Sequence, residues 1–320
     1  MMSVAGNYEY LELITNSKSG SFFFYSHDQR YIIKNMKSAE AKFFRNIIPQ
    51  YYEHHIQHPD SLLIRFCGMY MVKAGHRKIP FIVMECVEGG TELKVHTKYD
   101  LKGSVVHRTA KEGERVLKDN NIRENETRVH LGHQRAAFLK VIRADAEFLC
   151  SVNVMDYSML LSIHDTSRPP EPVDRRALLE RGYSDFFVFA DQADGKTIPE
   201  FEKLPSSREP SLEAVTEGRL EEDDREELTR PVLKTARSCR NAMSLSTVQF
   251  RPDGGIESIG GGPKQIYWMG VIDVLQQYTT MKHAETYYKG IGRTRGELSC
   301  VAPRLYCERF VGFMEEITEE

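Results

Sequence analysis

Two aspartates stand where ionised groups are costly. Asp156 lies within Val154-Met155-Asp156-Tyr157-Ser158-Met159-Leu160-Leu161, and Asp273 within Trp268-Met269-Gly270-Val271-Ile272-Asp273-Val274-Leu275. A carboxylate in such a run must be protonated, paired with a base or bound to a cation, and one magnesium ion on a phosphate chain would serve both acids. For Asp273 a helix cap is the alternative, since a helical pattern begins just after it. Lys34 ends the apolar run Tyr31-Ile32-Ile33. An ammonium set into a sheet needs an anionic partner, because burying it unpaired is expensive. Glu40, early in the next helical pattern, is the partner expected from its position.

Upstream of Lys34, Ser19-Gly20-Ser21 joins two predicted strands. A glycine there lets backbone N–H groups approach a phosphate, or simply forms a hairpin turn. Glycine turn, strand lysine and helix glutamate together match the way kinases hold nucleotide phosphates; an exposed edge lysine is the other reading. Further along, Tyr99-Asp100-Leu101-Lys102-Gly103-Ser104 places opposite charges two apart on one strand face, with Arg108 four residues beyond Ser104. That pattern suits a phosphate clamp and equally a solvated salt bridge. Residues 281–304 hold Lys282, His283, Lys289, Arg293, Arg295 and Arg304 against only Glu285 and Glu297, with Tyr287 and Tyr288 among them. Basic residues interleaved with aromatics fit anionic headgroups at a lipid interface, a nucleic-acid-binding segment or a solvated loop.

The elements that must position these residues are legible as patterns. Residues 8–14, 21–25 and 30–34 are short aromatic and β-branched runs separated by turns, predicting antiparallel strands. Residues 38–55 carry Ala39, Phe43, Ile47 and Tyr51 at four-residue spacing, with Ser38 as the expected N-cap and Pro49 as a late kink. Residues 62–72 and 79–87 flank a polar turn, and 92–101 again reads as extended. Helices are predicted over 129–152, through Phe138, Ile142, Leu149 and Val152, and over 304–317 with Pro303 at the start.

The 320 residues carry a net charge of −3, but 171–230 holds 17 acidic against 9 basic residues, so the rest of the chain is at +5. The acidic tract reads as a solvated insert in which only 183–190 suits a strand, and the basic body favours anionic partners. Apolar stretches are interrupted by Glu85, Asp156 and Asp273, so no membrane span is expected. Glu9 and Glu12 occupy the place of a signal peptide's apolar core, which argues against secretion. Six cysteines with no CxxC pair suit thiols in a reducing compartment rather than zinc or disulfide frameworks.

At these residues the chain resembles the phosphatidylinositol phosphate kinases. SGSFFF, YIIK, the segment ending IIPQYY, YDLKGS with Arg108, VMDYSMLLSIHD, IYWMGVID and VAPRLYCERF stand in that family's order and approximate spacing. The resemblance implies an α+β, bilobal kinase-like fold in one domain over 1–320. Its N-lobe, an antiparallel sheet plus a helix, would take 1–87, and its mixed α/β C-lobe 88–320, with a largely irregular acidic insert at about 165–260 and an activation loop at about 274–302. It also implies ATP with Mg²⁺, and a phosphoinositide substrate in an anionic membrane surface on the cytoplasmic face of the plasma membrane. No nucleic acid partner is implied.

Carried over by motif, Ser19, Gly20 and Ser21 cover the nucleotide phosphates, Lys34 contacts them and Glu40 orients that lysine. Asp156 is the catalytic acid, Asp273 the metal-binding aspartate, and Lys102 and Arg108, with Asp100 in the same motif, neutralise charge near the transferred phosphate or headgroup. Lys282, His283, Glu285 and Lys289 meet the lipid. A glutamate at the position of Glu285 is similar to enzymes acting on the 4-phosphate lipid, where those acting on the 5-phosphate usually have alanine. Departures are Lys282-His283 for a lysine pair, Ser162 for a glycine, and Lys118-Asp119-Asn120-Asn121-Ile122 for an acidic segment. The chain starts about twenty residues before the glycine turn, from which a short or missing N-terminal extension and an open oligomeric state are expected. A 5-kinase is favoured over a 4-kinase acting on the 5-phosphate lipid, a catalytically weak phosphoinositide sensor or scaffold, and a soluble inositol phosphate kinase.

Overall fold

A computed structural model describes residues 11–13, 23–26, 28–74, 77–89, 91–169, 248–278 and 301–320. Ser19, Gly20, Ser21, Lys282, His283, Glu285 and Lys289 lie outside the described residues, as do the acidic tract and its expected strand at 183–190.

The first aromatic and β-branched runs form β1 (Leu11–Leu13), β2 (Phe23–Tyr25) and β3 (Tyr31–Asn35). A helix, α1 (Ser38–Gln57), leads to β4 (Phe66–Ala74) and β5 (Arg77–Glu85). The five strands make an antiparallel sheet in the order β1-β2-β3-β5-β4. Phe23, Lys34, Ile82 and Met69 form one cross-strand row. Directly paired residues share a face, so Lys34 emerges beside Ile32 and Ile82, both buried. The same face meets α1 through the edge-on contact of Phe44 with Phe66, 4.7 Å between centroids.

Phe43, Phe44, Ile47, Tyr51 and His54 supply the buried stripe of α1, whereas Ala39 is exposed. The cap is Lys37, one residue before the expected Ser38. Pro49 stands inside the helix on its exposed side, where water can serve the Arg45 carbonyl that proline cannot pair.

The second sheet has the order β10-β11-β9-β6-β7. Its strands are β6 (Thr97–Leu101), β7 (Val116–Leu117), β9 (Ser158–Asp165), β10 (Ile256–Glu257) and β11 (Gln265–Ile272). Only β6 and β7 pair in parallel. β9 and β11 are matched from Gln265 against Asp165 to Ile272 against Ser158. One face of this sheet, with Leu101, Met159, Leu161, Met269 and Val271, joins a buried cluster. Phe138, Ile142 and Leu149 of α3 (Arg135–Ser151) and Tyr306, Phe310 and Phe313 of α4 (Pro303–Ile317) belong to it too. The helix predicted from 129 begins only at Arg135, because Val129 and His130 form β8 and pair in parallel with β12 (Thr318–Glu319). That partner is distant in sequence, which no local period reveals.

The whole is a mixed helix-and-sheet architecture of the α+β kind. The two sheets meet at the segment after α1, where Ile64 N–H donates to the Val271 carbonyl at 2.9 Å and Val271 N–H to the Leu62 carbonyl at 2.7 Å. His54 of α1 and Asp145 of α3 meet at 2.7 Å. Gly270 lets β11 approach the chain after β5, since a Cβ there would lie 2.7 Å from Val87 Cγ2. Among the described residues no helix is long and apolar enough to cross a membrane.

Candidate active site

The end of the β9–β11 pair sets the site. Ile272 and Ser158 are the last paired residues, so Asp273, just after β11, and Asp156, just before β9, emerge at the same end of the sheet. Both backbones are left-handed, φ 60° at Asp273 and 65° at Asp156. Aspartate tolerates that region better than most residues, and a non-glycine held there at a sheet end marks an over-determined turn. What determines it is the chain beyond Asp273. Met155 N–H donates to the Gln276 carbonyl at 3.1 Å, and Tyr278 N–H to the Asn153 carbonyl at 2.9 Å, stitching 276–278 along 153–155. Residues 274–278 form a turn and a bridge rather than a helix, so Asp273 is not a helix cap.

Two lysines face these acids. Lys34 Nζ lies 3.5 Å from Asp273 Oδ1, joining the first sheet to the second, and sits 5.2 Å from the centre of the Phe23 ring. The expected pair with Glu40 is replaced: Glu40 Oε2 accepts from Lys37 N–H at 2.9 Å, closing the first turn of α1. A glutamate at the third helical position serves the free N–H groups of its own helix, and that local use wins over the lysine.

Lys102 follows β6 and donates from Nζ to both the Oδ1 (2.8 Å) and the carbonyl (2.9 Å) of Asp156. Burial pulls its pKa down, but the carboxylates of Asp156 and Asp100 outweigh burial and leave it raised, so the ammonium is charged at neutral pH. Asp156 is about one third exposed, and among the described residues its second carboxylate oxygen makes no hydrogen bond, so it is open to another group.

Arg108 and Asp100 were expected at the cleft with Lys102, and the structure places them behind it. Arg108 is buried, with Nη2 on Asp100 Oδ2 at 3.0 Å and Nε on Asp119 Oδ2 at 2.6 Å. Its pKa is raised, the two carboxylates outweighing the cost of burial. Its charge is balanced by these two carboxylates behind the Lys102 turn. Asp100 is 1% exposed. Asp119 is the residue that sequence reasoning passed over. It lies in the segment read as a departure, and nothing local indicates that its carboxylate turns back toward residue 108.

The arrangement suits phosphate chemistry. Asp273, about half exposed, and the open oxygen of Asp156 stand at one sheet end with Lys34 and Lys102 beside them. Among the described residues no three His, Cys, Asp or Glu side chains cluster to hold a metal ion. Magnesium needs no such cage, because it is held by one or two carboxylates with phosphate oxygens and water completing its shell. The pair of aspartates fits it on those terms. Of the remaining departures, Ser162 has a structural use, its hydroxyl donating to Glu88, which also holds Lys98 at 2.9 Å.

The family model described as Phosphatidylinositol-4-phosphate 5-Kinase matches residues 4–317. The chain is 32% identical to a Schizosaccharomyces pombe protein named phosphatidylinositol 4-phosphate 5-kinase its3, with 98% of this chain and 42% of that one aligned. It is 30% identical to phosphatidylinositol 4-phosphate 5-kinase 1 of Arabidopsis thaliana, over 99% of this chain and 42% of the relative. Phosphatidylinositol 5-phosphate 4-kinase type-2 gamma of Danio rerio is 31% identical, over 92% of this chain and 67% of its own length. The chain thus spans about two fifths of the length of the first two relatives.

Proposed function

Because the chain belongs to the phosphatidylinositol-4-phosphate 5-kinase family, we propose that it transfers the γ-phosphate of ATP to the inositol ring of phosphatidylinositol 4-phosphate, giving the 4,5-bisphosphate. The convergence of Lys34, Asp273, Asp156 and Lys102 at one end of the β9–β11 pair carries this reading. Residues 1–87 act as the N-lobe of a kinase-like bilobal fold and 88–320 as its C-lobe, with the phosphates between them.

Each group has a role that its setting supports. Lys34 leaves Asp273 for the phosphate chain, which its partly exposed position allows. Asp273 would hold Mg²⁺ together with phosphate oxygens and water, and the ion when bound supplies neutralisation of phosphate charge. The open oxygen of Asp156 orients the attacking ring hydroxyl and takes its proton. Lys102, charged at neutral pH, balances negative charge that builds on the equatorial oxygens as the phosphoryl group passes. Positioning and charge account for the reaction, and no covalent intermediate is needed. Glu285 favours the 4-phosphate lipid, and the basic segment around Lys282, His283 and Lys289 draws the enzyme as a peripheral protein to the anionic cytoplasmic leaflet of the plasma membrane. Ser19, Gly20 and Ser21 cover the nucleotide phosphates.

Transfer of labelled phosphate from ATP and Mg²⁺ to liposomes containing either monophosphate lipid tests the proposal. The expected product is labelled 4,5-bisphosphate from the 4-phosphate lipid, lost in Asp273→Asn. Label arising only on the 5-phosphate lipid would reverse the specificity, and no transfer with liposome binding retained would replace catalysis by sensing.

A further inference from the structure

Lys102 points at Asp156 because the turn behind it is held from below. β6 ends at Leu101, and the chain reverses through Gly103 at φ 69°. A side chain there would be strained, and its Cβ would stand 3.0 Å from the Arg309 carbonyl of α4. In this reversal the N–H groups of three successive residues converge on one oxygen. Asp119 Oδ1 accepts from Lys102 N–H at 2.8 Å, Gly103 N–H at 2.6 Å and Ser104 N–H at 3.2 Å. Successive N–H groups of this kind form a concavity that binds anions, and here the chain supplies the anion itself. The other oxygen, Oδ2, accepts from Arg108 Nε, and Arg108 Nη2 returns to the Asp100 side chain at the end of β6. The circuit runs from Asp100 through Arg108 and Asp119 into the root of Lys102. Asp119 is fully buried, so no water competes for these bonds.

We infer that Asp119 is a positioning residue for Lys102, fixing where its ammonium stands beside Asp156 during the phosphoryl transfer proposed above, a reading on which the role in turnover rests. Asp119 touches no reacting atom. Its charge and its two acceptor oxygens are both required, because an amide in its place would aim N–H groups at Arg108 Nε–H and leave that guanidinium under-balanced.

Asp119→Asn separates this role from general support of the fold. A displaced lysine leaves substrate binding largely intact and harms the step in which charge develops. Turnover is expected to fall roughly 10- to 100-fold, with KM for ATP and for lipid within about twofold. Lys98 lies on the same strand in its own ion pair with Glu88 and provides the internal control. In limited acylation with an amine reagent, Lys102 is expected to label at least about threefold faster in the variant, while Lys98 stays unchanged. Equal acceleration at both lysines, or unchanged kcat in a folded variant, would overturn the assignment. The wild-type chain offers a test that needs no folded variant. The N–H groups of residues 102–104, although in a turn, should exchange with solvent as slowly as those of β9, and exchange at the rate of open loops would equally defeat the inference. Lys102→Ala keeps the two levels apart: if it retains turnover, the catalytic reading of Lys102 fails, while labelling and exchange still report on what Asp119 holds.

Discussion

Lys34 pairs with Asp273 and Lys102 with Asp156, and the two lysines are held in opposite ways. Lys34 stands near the end of β3, the central strand of the first sheet. Its contact with Asp273 is a single 3.5 Å approach to a carboxylate that is 54% exposed. Lys102 makes two short bonds to Asp156 and rises from a turn fixed by Asp119, Arg108 and Asp100. The first lysine can exchange its partner for a phosphate at little cost, since an exposed pair contributes only about 0–1 kcal/mol. The second is fixed in advance by a buried network. One side of the site is arranged to admit a ligand, and the other to keep a charge in place.

The sharpest way to break that contrast is to remove Arg108. Arg108→Ala leaves the buried carboxylates of Asp100 and Asp119 facing each other without a cation, and the loss of one partner of a buried ion network typically costs about 3–5 kcal/mol. Urea denaturation should register a loss of that order. A change below about 1 kcal/mol would mean that the network is not what holds the Lys102 turn.

Lys34→Ala and Asp273→Asn should behave in the reverse manner. Their mutual contact is weak, so melting temperatures should move by no more than about 2 °C. In the proposed transfer to the 4-phosphate lipid, turnover should fall about a hundredfold or more, the usual consequence of removing a group aimed at developing charge. Large destabilisation with modest kinetic loss would exchange the roles assigned to the two lysines.

The same contrast explains what the sequence made legible. Asp156 and Asp273 stood out because carboxylates inside apolar runs have few ways to exist, and the register of β9 with β11 places them together. Lys34 was legible for the same reason, but its partner was not. Glu40 is nearer in sequence, yet the first turn of α1 uses it, and the facing carboxylate comes from a strand end far along the chain. Arg108 and Asp119 were opaque as a pair because the loop between Gly103 and α2 (Asp119–Glu124) has no period that would show which side chains turn inward. β8 was hidden inside a helical pattern because its partner, β12, lies at the other end of the chain. Amphipathic helices and apolar strands follow from local alternation; ion pairs between distant turns follow from topology, which a single sequence does not display.

Acid should act on neither lysine but on two histidines whose pKa values are lowered. Lys102 has a raised pKa, so its contribution is present throughout the neutral range and is lost only as pH rises through that value. His58, following α1, and His96, preceding β6, are both shifted below the usual histidine value. Burial is the main cause for each, followed by a neighbouring histidine, His54 beside His58 and His164 beside His96. Lys140 adds to the effect at His58 and Arg168 and Lys94 at His96, while Asp145 and Asp165 oppose it. A histidine of lowered folded-state pKa takes up protons more readily when unfolded, so stability falls as pH drops from about 6.5 toward the folded value. Between pH 7 and 5.5 the melting temperature should fall by roughly 1–3 °C. His58→Asn should reduce that slope without altering the effect of Arg108→Ala at pH 7.5. His58 lies beside the His54–Asp145 contact between α1 and α3, so a slope unchanged by the substitution would place the acid sensitivity outside the junction of the two sheets.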